Sequence, residues 1–284
     1  MQRGVVQKVL SVEQAEGRGA RVRRSIGRKE LRRLDPFLLL DEFRVRQPAG
    51  FPDHPHRGFE TVTYMLKGSF HHQDFCGHSG VIRKGDLQWM TAGRGVVHSE
   101  MPASDGDNIG LQLWINLPAS QKMIEPVYQE LLASQVPSAT SGGTTVKVIA
   151  GESMGVESPV RTRTPVYYLD FQQEPGAKFT QEVPRDWNAF IYVLTGTISV
   201  VVDEEESESG PHHTLVLSQG DSVKVCNTGP DTAHFVLIAG QPIGEPVVQD
   251  GPFVMNTREE IRQTLQDYSD AKNGFENARN WKSA

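Results

Sequence analysis

Short apolar runs alternate with turn residues along most of the chain. Apolar, β-branched and aromatic residues gather at positions 58–66, 81–90, 111–117, 145–150, 166–171, 189–194, 197–202, 214–217, 222–225 and 235–239, with Gly, Asp and Asn turns separating them. Runs this short and this closely spaced predict strands of an all-β sandwich or barrel. Between positions 118 and 143 the pattern gives way to Gln, Ser, Pro and Glu and ends in SATSGG. A linker is expected there, with a short helix over 128–133. Further on, Thr257 and Glu260 stand at capping-box spacing, and Ile261, Leu265 and Tyr268 share one helical face before Gly274. That pattern predicts a helix at about 257–271 packed against a barrel.

The two halves echo each other. Tyr64-x-Leu66-x-Gly68 recurs as Tyr192-x-Leu194-x-Gly196, Gly85-Asp86 as Gly220-Asp221, and the Gly93 to His98 spacing as Gly229 to His234. A duplicated barrel is the economical explanation of such a repeat. The expected division is one domain over 1–135 and a second over 136–284 that ends in the helix.

A chain of 284 residues suits two such domains. No stretch reaches the roughly 18 unbroken apolar residues of a membrane helix, and the opening residues lack a signal-peptide pattern. Cys76 and Cys226 sit in different halves and offer neither a disulfide framework nor a metal-cluster spacing, so an intracellular protein is expected. The net charge of −6 does not describe a general nucleic-acid binder. Residues 18–33 nevertheless carry eight basic side chains against one acidic one. Arg18, Arg21, Arg23 and Arg24 are either paired with acidic neighbours or form a docking face for an acidic partner.

Candidate metal chemistry lies in HPHRGFE (54–60) and in GDLQWMTAGRGVVHSE (85–100). His54 and His56 are two residues apart, as are His98 and Glu100, so each pair shares one side of an extended strand. Two such strands laid side by side would bring three imidazoles and a carboxylate together. That donor set suits Fe(II), Mn, Ni, Cu or Zn, and spacing does not choose among them. Glu60 has the same parity as His54 and His56 and competes with Glu100 as the carboxylate. His71, His72 and His78 are expected in a solvent-exposed polar loop. In the second half, counting back from the repeat puts Glu182 and Pro184 opposite His54 and His56, with His234 and Val236 opposite His98 and Glu100. The second barrel is therefore expected to lack a metal.

The two motifs resemble those of the cupin superfamily and, more narrowly, of the pirin family. The similarity extends in order through RVRRSIGR, LDPFLLLDEF, GFPDHPHRGFETV, DFCGH, GLQLWINL, TRTP, HFVLIAG, GPFVMNT and KNGFE, essentially the whole chain. The resemblance implies a bicupin of two double-stranded β-helix barrels. It also implies one Fe(II)/Fe(III) ion held by His54, His56, His98 and Glu100, with Glu60 in a supporting place. It further implies two roles. One is quercetin 2,3-dioxygenase activity on a flavonol, for which carboxylate chemistry, rather than the resemblance, makes Glu100 a candidate proton relay. The other is a redox-sensitive coregulator of NF-κB-type transcription factors in nucleus and cytoplasm, for which the charge pattern makes the arginine stretch the expected docking face. A monomer without membrane association or direct sequence-specific nucleic-acid binding is expected.

Overall fold

The computed structural model describes residues 1–284. Two compact units form. One comprises Glu13–Arg24, Phe37–Ala133 and Ile243–Ala284; the other comprises Met1–Val12, Ser25–Pro36 and Ser134–Pro242. Along the chain the longest segments of the two units divide between Ala133 and Ser134, and each unit also takes in segments from elsewhere in the sequence. The C-terminal helix belongs to the first barrel rather than the second, because Ile261 and the flanking Phe253, Met255 and Phe275 pack there.

In the first barrel a seven-stranded sheet runs in the order Val127–Leu131, Leu87–Thr91, Phe59–Lys67, Asn108–Asn116, Phe37–Val45, Ala20–Ile26, Glu13–Glu16. A four-stranded sheet runs Phe51–His56, Val96–Pro102, Ser69–Asp74, Ser79–Arg83. In the second barrel the order is Val5–Leu10, His213–Leu217, Asn188–Thr195, Ala233–Gly240, Val166–Gln173, Thr144–Ala150, Ser138–Ser141, beside Lys178–Glu182, Ser222–Asn227, Ile198–Val202, Glu205–Ser209. The two barrels correspond strand for strand, so the duplication is of whole cupin domains.

The correspondence corrects part of the repeat reading. Gly68 and Gly196 do occupy the same turn, with φ of 75° and 77°, a conformation that glycine adopts without strain. Gly85-Asp86 and Gly220-Asp221, however, precede non-equivalent strands, and so do the Gly93 and Gly229 motifs. Register from the shared turn runs through Phe70↔Pro102 and Ile198↔Asn227. It makes Gln181, Val183, Val223 and Val225 the counterparts of His54, His56, His98 and Glu100. Val183, Val223 and Val225 lie in an apolar core with Leu169, Ile191 and Phe235. Glu182 is exposed and His234 bonds Asp170 at 2.5 Å.

Other local expectations shift for tertiary reasons. The run at 81–90 is two strands separated by a turn at Gly85, whose φ is 88°. Residues 128–133 do not form a helix: Val127–Leu131 is a sheet-edge strand paired with Leu87–Thr91. The C-terminal helix spans Arg258–Asp270 with a complete Thr257/Glu260 capping box. It buries Ile261, Thr264 and Asp267, whereas Leu265 and Tyr268 remain exposed. Phe253, Met255, Ile261 and Phe275 pack with Phe75, Met90, Val96 and Val97 of the first barrel.

Candidate metal centre

Strand Phe51–His56 pairs antiparallel with Val96–Pro102, and His54 stands directly opposite His98. His56 and His98 are buried, His54 half-buried. The ligating nitrogens of His54, His56 and His98 all lie within 4.8 Å of one another. The i, i+2 spacing thus converges as strand geometry requires.

His54 Nδ1 donates to the Pro52 carbonyl at 2.8 Å, leaving a lone pair on Nε2. That Nε2 lies 2.9 Å from His98 Nε2. Two nitrogens bound at right angles to one metal at about 2.1 Å stand about 3.0 Å apart, so the separation fits an adjacent ligand pair. His98 Nδ1 is buried without a partner. Burial, reinforced by neighbouring histidines, pushes the pKa values of His56 and His98 well below the usual imidazole value. Neutral rings with available lone pairs are the form that binds a metal. The residues present therefore fit a divalent transition metal.

Glu100 is buried, and its carboxylate accepts from Thr63 Oγ1 at 2.8 Å and Gln112 Nε2 at 3.0 Å. It follows His98 by two residues on a strand whose pairing with Ser69–Asp74 is regular there. Both side chains therefore leave the same face. Glu60 does not share it. Thr63 reaches Glu100, so the odd-numbered residues of Phe59–Lys67 face the site and Glu60 faces away. There Glu60 accepts from Thr91 Oγ1 at 2.6 Å. The parity count failed because Gly58, with φ of 88°, interrupts the strand between His56 and Phe59.

Several contributors escaped sequence reasoning. His72 is not in an exposed loop: it is buried opposite Glu100, 2.8 Å from Glu130. Tyr128, read as helical, packs its ring against His72 and His78, 6.2 and 4.6 Å between centroids. Burial, with Asp74 nearby, raises the Tyr128 phenol pKa. His78 bonds Asp74 at 2.8 Å, and His71 bonds Ser79 at 3.0 Å. Trp114 lies edge-on to His56. A usable signal existed: Thr61, Thr63, Gln88 and Gln112 place polar groups at alternate positions of otherwise apolar strands, as strands lining a ligand site do.

The basic stretch forms a hairpin in which acidic neighbours neutralise most of the arginines. Arg21 pairs with Glu13 at 2.8 Å and Arg23 approaches the same carboxylate at 3.8 Å. Arg24 is clamped between Glu16 at 2.6 Å and Asp41 at 2.7 Å. Arg18 is exposed, and its backbone bridges Gly50.

Comparison with known proteins agrees with this architecture. The family model described as Pirin matches residues 19–115, and that of the Pirin C-terminal cupin domain matches residues 168–274. Pirin of Homo sapiens is 59% identical over 280 residues, covering 98% of this chain and 97% of that one. A pirin-like protein of Solanum lycopersicum is 60% identical over 279 residues, covering 98% and 96%. A solved quercetin 2,3-dioxygenase from Acinetobacter baumannii superposes with a TM-score of 0.88 at 32% identity, covering 97% of this chain and 99% of that one. With both barrels matched in order and nearly end to end, this chain belongs to the pirin family and is built of two cupin domains.

Proposed function

We propose that this protein is an iron-dependent oxygenase of the quercetin 2,3-dioxygenase type that acts on a flavonol at the first-barrel site. The observation that carries the reading is the convergence of His54, His56 and His98, two of them buried and held neutral. The resemblance to a quercetin 2,3-dioxygenase at 32% identity supports the substrate class. Iron bound there would supply Lewis-acid polarisation of the substrate hydroxyl and redox chemistry with O2.

The chain's own residues set the rest. His54, His56 and His98 would hold the metal through nitrogen, and Glu100, on the same strand face as His98, is the proposed fourth ligand. Thr63 donates to one Glu100 oxygen and Gln112 to the other, which fixes the carboxylate's orientation; a remaining lone pair of that carboxylate would take the flavonol hydroxyl proton. Trp114 and Phe59 form an aromatic wall beside His56 that keeps water from that side.

Elemental analysis of protein purified without added metal, alongside quercetin turnover, tests this. We expect iron near one per chain, lost in His98→Ala, and Glu100→Gln should abolish turnover more fully than it lowers metal content. Equal loss of both would remove the proton relay. Metal content unchanged by His98→Ala would overturn the site.

A coregulator role of the NF-κB type requires a face that a partner reads differently in the Fe(II) and Fe(III) states. Because Arg21, Arg23 and Arg24 are engaged in ion pairs, the geometry favours the enzyme over the regulator.

A further inference from the structure

Beyond His56 the metal-bearing strand is gripped by the C-terminal segment of the same unit. The Arg57 N–H donates to the Pro252 carbonyl at 3.3 Å, and the Val254 N–H donates to the Arg57 carbonyl at 3.0 Å. The Pro252 carbonyl that receives the Arg57 N–H also lies beside the His56 ring. The Lys122 ammonium, buried, bridges the carbonyls of Gly58 at 2.8 Å and Val254 at 3.3 Å. The approach is so close that a Cβ on Gly58 would lie 1.9 Å from the Val254 oxygen.

The Arg57 side chain, 1% exposed, makes the attachment specific. Its Nε donates to the Arg94 carbonyl at 2.6 Å and Nη2 to the Asn273 carbonyl at 2.7 Å. Nη1 donates to Asp267 at 2.9 Å and lies 3.3 Å from Thr264 Oγ1. The guanidinium also covers the Phe275 ring at 4.6 Å. Only a planar group with five donors can satisfy so many directions at once. A buried ion pair contributes little net stability compared with a well-packed apolar pair, yet it accepts a single docking geometry.

We propose that Arg57 is a positioning residue: by docking the segment Ile243–Ala284 in one register it holds His56 in its ligating orientation, so metal affinity and attachment of the C-terminal helix are coupled. The proposal rests on the metal-site reading above. Hydrogen bonds that support metal ligands from outside the coordination sphere alter affinity by about 10- to 100-fold. Linkage makes the effect reciprocal, so metal must tighten the docked helix by the same factor.

Two measurements test it. Co(II) is titrated in competition with a chelator and followed by its visible d–d absorption, in wild type, Asp267→Asn and the exposed control Leu265→Ala. Asp267→Asn should weaken Co(II) binding about 10-fold or more and alter the spectrum; Leu265→Ala should do neither. In wild type, amide hydrogen exchange at Ile261, Thr264 and Asp267 should slow about 10-fold or more when Zn(II) is bound. The exchange result decides if Asp267→Asn fails to fold or the two arms disagree. Wild type that binds metal with no change in exchange overturns the coupling while leaving the metal site intact. Wild type that binds neither ion removes both readings.

Discussion

Lowering the pH should selectively destabilise the metal-free first barrel. Burial keeps His56 and His98 neutral in the folded state, with pKa values well below 6.5. In the unfolded chain both rings take up protons below about pH 6.5. The unfolded state therefore binds more protons across this window, and linkage requires stability to fall as the pH drops. The contribution is present above about pH 6.5 and is lost progressively toward the folded-state pKa values. With both rings neutral in the fold, each contributes about 1.4 kcal/mol between pH 7.5 and 5.5, or about 2.7 kcal/mol together. Urea unfolding of the metal-free protein, followed by tryptophan fluorescence, measures it. Trp89, Trp114 and Trp281 lie in the first-barrel unit and Trp187 in the other, so the signal reports mainly on the right unit. The double variant His56→Asn/His98→Asn should lose most of the pH dependence over that range. An equal loss in wild type and variant would refute the reasoning, since the acid sensitivity would then come from other groups.

Two further outcomes follow from the geometry. Gly58→Ala should destabilise the first barrel by about 2 kcal/mol more than Gly77→Ala, as read by urea midpoints. Both glycines have positive φ, but a Cβ at Gly77 meets nothing within 4 Å; equal midpoints would show that the 252–254 segment yields freely. Arg24→Glu should cost about 3 kcal/mol by leaving buried Asp41 without its cation, whereas Arg18→Glu should stay within about 0.5 kcal/mol. Equal costs in thermal or urea unfolding would contradict the ion-pair assignment.

The sequence by itself determined the strand-rich class, the duplication, the capping box that starts the helix, and the three imidazoles. Each is written in local spacing: period two for strands, one turn for a capping box, and i, i+2 pairs for ligands on one face. Geometry through Gly58 was not local in that sense. Its left-handed backbone breaks the parity count, so only the folded sheet turned Glu60 away and set Glu100 beside Thr63 and Gln112. The register between distant strands likewise decided that Val127–Leu131 is a sheet edge, that His72 is buried, and that Val183, Val223 and Val225 stand where the first barrel has His56, His98 and Glu100. Only the tertiary structure docked the C-terminal helix on the first barrel and paired the arginines with Glu13, Glu16 and Asp41. The reason is physical: residue spacing specifies which side chains share one element, but burial and pairing between remote segments specify which elements meet.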